Sequence, residues 1–478
     1  MKHLKLKHLI FIAIAAIVAS CSSNNNDEDT TATKPVLPKK ELRGVWMATV
    51  WGLDWPMGNY DSQSQKDLYK SYLDLFAANN INAVFFQIRG MADAFYDSQY
   101  EPWSKNITGD ATQKPDYDVL KFLIDEAHKR GIQFHAWINP YRIATRTSQS
   151  ASFPDLDPKI PKEWVKDYNK IRIYNPAMPE VQSRITDIVK EIISKYDVDG
   201  IHMDDYFYPA LDADEKINDD AEYATYGSGK YSSVEDFRRD NVNKVVQAIQ
   251  KVIVDTKPKV VFSISPAADN DNNYNNLYAD VVKWSQEGWV DVIIPQLYFA
   301  TGSSASSFNQ RLYWWSQFTY KNALMVGYGL YKFGDPTTGD KFQTSDDLKN
   351  QFDYAASKPK VQGSILYSAK SLLDNKVNIM DVIKKVYSHP ALPPFLGRTT
   401  VAAPSVPADV KINGNSIVWT AVNGARYAIY KSNGAGQMAN LVAITSSTTY
   451  SLSDKGTYFV TAVNADNVES DISTLVTY

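Results

Sequence analysis

One cysteine, Cys21, is all the chain contains, so no intrachain disulfide can brace it. Histidine is scarce too: of six, two fall within the first ten residues, and no His-x-His or His-Glu-x-x-His spacing occurs. A dedicated zinc motif is therefore missing, and no metal is expected. The formal net charge is only −4 over 478 residues, with acids and bases mixed along the chain. That excludes the basic footprint of a nucleic-acid binder and gives no reason to expect a strongly polyanionic ligand. No glycine-rich phosphate loop follows the first apolar segment, which disfavours an open doubly wound nucleotide fold, and no cofactor is expected. Aromatic residues, by contrast, are plentiful. Thirty Tyr and 11 Trp help raise their share to 13%, enough for a large core or for flat platforms against sugar rings.

Lys2, Lys5 and Lys7 precede the apolar run Leu9–Val18, which is too short to span a membrane as a mature helix. The run leads into Val18-Ala-Ser-Cys21, which resembles a bacterial lipobox and marks Cys21 for lipidation. Residues 1–21 thus read as a lipoprotein signal peptide, and the polar residues 22–40 as a disordered tether. Asp27-Glu-Asp29 resembles the acidic surface-export signals of bacterial lipoproteins. The expected place is the outer membrane, anchored by lipid and facing the periplasm or the cell surface.

Beyond the tether, eight short apolar segments recur between helix-like stretches: Gly44–Val50, Asn82–Ile88, Ile132–Ile138, Gly200–Asp204, Val260–Ser265, Asp291–Gln296, Leu324–Gly329 and Gly363–Ser368. Strand and helix alternating eight times predict an α/β fold, a (β/α)8 TIM barrel over residues 41–390. The periodicity breaks at Ala391-Leu-Pro-Pro, giving a linker over 391–402. Short strands then follow at Val410–Ile412, Ser416–Trp419, Arg426–Lys431 and Gly456–Asn464. Residues 403–478 resemble a fibronectin type III module, a small all-β sandwich.

In a barrel the chemistry sits at the C-terminal strand ends, and period-two alternation selects the faces. Gln87 and Arg89 share a face on the second strand. Gln133, His135, Trp137 and Asn139 do so on the third, His202 and Asp204 on the fourth, and Gln296 and Tyr298 on the sixth. Glycosidic cleavage needs one acid for the leaving oxygen and a second to attack or to activate water. Asp204 and the adjacent Asp205 are the candidate pair, in the segment Asp199-Gly-Ile-His-Met-Asp-Asp-Tyr-Phe-Tyr-Pro209. Asp54, Asp93, Asp97 and Glu101 are open alternatives for the second carboxylate. Gln87, Arg89, Asp93, His135, Trp137, Asn139, His202, Tyr206, Gln296 and Tyr298 are expected to bind substrate.

Several blocks resemble the glycosyl-hydrolase-like family 10 of bacterial cell-envelope proteins. They include Arg43-Gly-Val-Trp46, Gln87-Ile-Arg89, Asp93-Ala-Phe-Tyr96, His135-Ala-Trp-Ile-Asn-Pro-Tyr-Arg142 and Pro295-Gln-Leu-Tyr298, with the Asp199–Pro209 segment itself. The resemblance spans about residues 41–390. It implies a TIM-barrel glycosidase whose substrate is a polysaccharide, in some relatives peptidoglycan strands stripped of their peptides. The chain departs from the family after Ile264-Ser-Pro266, where Ala267-Ala-Asp-Asn follows. Chitinase-like barrels carry Asp-Gly-x-Asp-x-Asp-x-Glu on the fourth strand, and the final glutamate position is here Tyr206.

Two other readings remain open at this stage. One is a non-catalytic glycan-binding lipoprotein on a barrel scaffold. The other makes His135, His202 and Asp204 a divalent-metal site for amide or ester hydrolysis.

Overall fold

A computed structural model of the chain describes residues 34–478. Cys21 and the signal segment lie outside the described residues. Eight parallel strands close into a barrel: β1 (Leu42–Met47), β2 (Ala83–Arg89), β3 (Gln133–Ile138), β4 (Gly200–Met203), β5 (Val261–Ile264), β6 (Val292–Ile293), β7 (Ala323–Gly329) and β8 (Val361–Tyr367). Each falls within or across a segment predicted above. The shortest, β6, ends two residues before Pro295, which has no N–H to give a ladder. Isolated bridges from Gln296 to Ala267 and to Gly327 continue its contacts.

Helices on the outside follow from their caps and apolar stripes. Asp61, Asp118 and Ser233 accept first-turn backbone N–H groups at the starts of Ser62–Ala78, Val119–Lys129 and Val234–Thr256. Pro179 opens Pro179–Lys195 at a position that needs no donor. Alternation then splits the strands into two cores. Val84, Phe86, Phe134, Ala136, Ile201 and Met203 pack against the helices. Leu42, Trp46, Phe85, Trp137, Met325 and Ile365 fill the barrel. Close approach explains two interior glycines: a Cβ on Gly200 would collide with the His135 ring, and one on Gly327 would lie 2.8 Å from the Trp46 indole.

Between β3 and its helix the chain inserts a three-stranded antiparallel sheet, Arg142–Thr145, Ile171–Tyr174 and Val165–Asp167 in spatial order. Nothing in the sequence reading anticipated it. At the C-terminus two antiparallel sheets face each other. One holds Lys411–Asn413, Ser416–Val418 and Thr449–Ser451. The other holds Asn440–Thr445, Arg426–Lys431, Thr457–Val463 and Val476–Thr477 in spatial order. Ile417, Trp419, Tyr427, Ile429 and Val460 form their shared core.

This module sits under the N-terminal ends of the barrel strands. Lys259, just before β5, pairs with Asp466 at 2.7 Å, and Lys40, just before β1, lies 3.7 Å from Glu469. The stretch expected as a linker is packed as well, with Leu392 buried and Arg398 paired to Asp291 at 2.8 Å. Residues 34–40, expected to be disordered tether, are instead ordered. Val36 donates to Gln437 O at 2.9 Å and accepts from Ala439 N at 2.8 Å, while Leu37 packs on the module's second core. The opposite end of the barrel is left open.

Candidate active site

Strand β4 ends at Met203, so Asp204 and Asp205 stand where the pleat has already released the chain. Two adjacent side chains can then reach different walls of one mouth, which a regular strand forbids. Asp204 is buried, only 3% exposed, and turns toward β3. Its Oδ2 accepts from the Trp137 indole N–H at 3.0 Å and its Oδ1 from Asn139 Nδ2 at 3.1 Å. Asn139 is itself held: its Oδ1 accepts from the backbone N of Arg142 at 2.8 Å. Asp205 is partly exposed and neighbours Gln296 on the β6 side. Gln296 donates to Ser265 O at 3.0 Å, which fixes its amide.

Burial dominates the electrostatics. It raises the Asp204 carboxyl above its usual range, against the pull of the Arg142 charge and the Trp137 and Asn139 donors. Asp205 is pushed up to about 6, first by burial and then by the charge of Asp204, with Gln296 and Arg142 pulling the other way. Arg142 serves both acids. It is buried, donates from Nε to Gly90 O at 3.1 Å, and lies 4.5 Å from the ring centre of Tyr206. Tyr206 is 46% exposed over the mouth. Tyr298 stacks on Tyr367 at 5.8 Å and meets Tyr331 edge-on at 5.9 Å, an aromatic wall on the side of Asp205.

Several residues expected at the mouth lie elsewhere. His135 is buried deep in the barrel, stacked on Phe85 with centroids 4.4 Å apart, and burial lowers its pKa to about 4. His202 is fully buried one layer higher. Its Nε2 accepts from the Trp46 indole at 2.9 Å, so Nδ1 carries the proton and donates to Ser263 Oγ at 2.8 Å. Neither ring presents a nitrogen to a ligand. The metal reading therefore fails on geometry: among the described residues no group of three or more His, Cys, Asp or Glu could hold an ion. Gln87 is buried and its Oε1 accepts from Thr49 N and Val50 N at 3.1 and 2.9 Å, which shapes the β1 loop instead of meeting substrate. Trp137 is only 7% exposed, so it holds Asp204 and does not form an open sugar platform.

Arg89 is displaced by a bulge. The register shifts between Gln87 and Arg89, and Arg89 pairs in a buried position with Glu101 at 2.8 Å. Its Nη1 also donates to the backbone oxygen of Asn139. Among the alternative second acids, Glu101 is spent on that pair, and Asp97 is exposed against Lys114 at 2.5 Å. Asp54 is buried and accepts from Ala48 N, Ser368 Oγ and Lys370 N at 2.6–2.8 Å. Asp93 lines a cavity, with Oδ1 accepting from Gly90 N and Met91 N at 3.2 and 2.9 Å.

Residues 41–344 match the family described as "Glycosyl hydrolase-like 10". The chain belongs to that family. Among its relatives, glycosyl hydrolase YngK of Bacillus subtilis (strain 168) is 36% identical, over 91% of this chain and 92% of that one. Glycosyl hydrolase DigH of Escherichia coli (strain K12) is 32% identical, over 75% and 91%. Solved structures resemble it more distantly: the catalytic domain of a β-amylase from Paenibacillus polymyxa has a TM-score of 0.48 at 10% identity, over 73% of this chain and 98% of that one. Membership in this family implies a carbohydrate substrate. Arg142 was not among the residues expected at the site, although it closes the His135–Arg142 block. The signal was its position three residues after Asn139, where a turn brings it back over the strand end.

Proposed function

We propose that this protein is a glycoside hydrolase cleaving O-glycosidic bonds of a cell-envelope or environmental polysaccharide. Peptide-free peptidoglycan strands are the first substrate to test. One observation carries the reading: two adjacent carboxyls stand at an aromatic-rimmed barrel mouth, Asp204 held by Trp137 and Asn139 and Asp205 on the side of the Tyr298 wall, where burial pushes it up to about 6. A carboxyl in that state donates to the leaving-group oxygen. Asp204, aimed by Trp137 and Asn139, stabilises positive charge growing at the anomeric carbon; water then forms the new bond there and gives its proton back to the Asp205 carboxylate. Arg142 limits how far both acids rise, and Tyr206, Gln296 and Tyr298 meet the sugar. The test scores new reducing ends from a glycan panel that includes peptide-free strands, with Asp204→Asn as control. Binding without release of ends would replace hydrolysis by glycan capture.

From the lipobox-like Val18-Ala-Ser-Cys21 we further propose an outer-membrane lipoprotein anchored through Cys21, facing the periplasm or the cell surface. Residues 34–40 run along the module under the barrel. The four-stranded sheet facing a three-stranded one supports a fibronectin type III-like accessory module for residues 403–478. Because it sits at the closed end, its part is spacing or attachment, not catalysis.

A further inference from the structure

Beside the acid pair runs a cleft of about 850 Å³, larger than a single sugar ring requires. Its walls are the β1 loop, the β2 loop with Trp103 and Asn106, and the inserted sheet from Ile143 to Arg172. Its inner end adjoins the site: Gly90 and Ile143 line it, Arg142 donates from Nε to Gly90 O and from its backbone N to Asn139 Oδ1, and Asn139 in turn donates to Asp204. Trp51 stands at this cleft and is 71% exposed. Its backbone is left-handed, at φ 55 and ψ 18, a conformation unfavourable for a bulky residue.

The surrounding loop is not loose. Gln87 receives Thr49 N and Val50 N, Asn106 Nδ2 donates to Thr49 O at 3.0 Å, and Gly52 N donates to the same oxygen at 2.8 Å. The buried Gln87 thus fixes a strained turn whose product is an indole held in water. Packing gives no reason for that expense of stability, whereas a flat face for a ligand does.

We propose that this cleft is a glycan-binding arm with Trp51 as its stacking platform, so that several sugars on one side of the scissile bond are held during cleavage. Asp93 and Asn106 offer polar groups to sugar hydroxyls along the same wall. The proposal rests on the glycosidase reading and extends it to a chain-length preference: long strands are better substrates than short ones.

The full-length protein is tested on peptide-free peptidoglycan disaccharide, tetrasaccharide and octasaccharide. In the unaltered protein kcat/KM rises roughly ten-fold or more with length. Trp51→Ala collapses that rise, mainly through KM, and Trp51→Phe restores part of it. Tyr313→Ala, an exposed tyrosine on an outer helix, keeps the full length dependence. Equal loss at every length, or no loss, for Trp51→Ala overturns the arm. If no length is cleaved but the octasaccharide binds, its Kd decides: a ten-fold weakening by Trp51→Ala keeps the arm while hydrolysis falls. Should the unaltered protein neither cleave nor bind any length, the arm falls, while the glycosidase reading is decided separately by the glycan panel.

Discussion

The indole N–H of Trp137 donates to Asp204 across 3.0 Å, joining the ends of β3 and β4 at the point where the mouth opens. With Asn139 on the same strand, it gives the carboxylate one orientation before any ligand arrives. Preorganisation of this kind removes the need to reorient the group during reaction.

Asp204→Asn should therefore abolish hydrolysis, by about two orders of magnitude or more in kcat, while the fold survives. Reducing-end release and circular dichroism check the two halves. Full activity in this variant would remove Asp204 from the mechanism.

Asp205 predicts both a pH profile and a stability change. Its carboxyl moves from 3.8 to about 6, so the folded state holds the proton more tightly than the unfolded chain does. Stability contributed by the neutral form is complete below about pH 4 and is lost as pH rises through about 6. Asp205→Asn should raise unfolding free energy at pH 7 by about 1–3 kcal/mol and change little at pH 3.5. Activity that needs the proton should fall on the alkaline side of about pH 6. Urea titrations at both pH values and a kcat/KM profile provide the checks.

Arg142 lowers both acids. Arg142→Gln should move the alkaline limb of that profile upward. An unmoved limb would mean that the proton donor lies elsewhere.

The Arg89–Glu101 pair is buried on both sides. Glu101→Gln leaves a guanidinium without its counter-charge, and a loss of about 3–5 kcal/mol is expected from denaturant unfolding. Because Arg89 also holds the Asn139 carbonyl, kcat should fall in protein that remains folded.

The barrel was legible because its strands repeat one physical pattern. Apolar alternation, helix caps such as Asp118, and a glycine after the helix at Gly131 all point to the same architecture. The inserted sheet was not legible, since strands of three or four residues such as Val165–Asp167 are too short to show a period. Alternation correctly separated Gln133, His135, Trp137 and Asn139 from their neighbours. It says nothing of height along the barrel axis, so His135 and Asn139 read alike although only the latter reaches an acid.

Sequence alone thus determined the order of the elements, which residues point inward, and that two acids close the fourth strand. Each follows from local periodicity and chain connectivity. Tertiary structure decided which inward residues reach the mouth, that Arg89 is spent on Glu101, and that Arg142 turns back toward the acid pair. Those outcomes depend on a bulge, a turn and the stacking depth of side chains from separate strands, and no local pattern encodes distances between them.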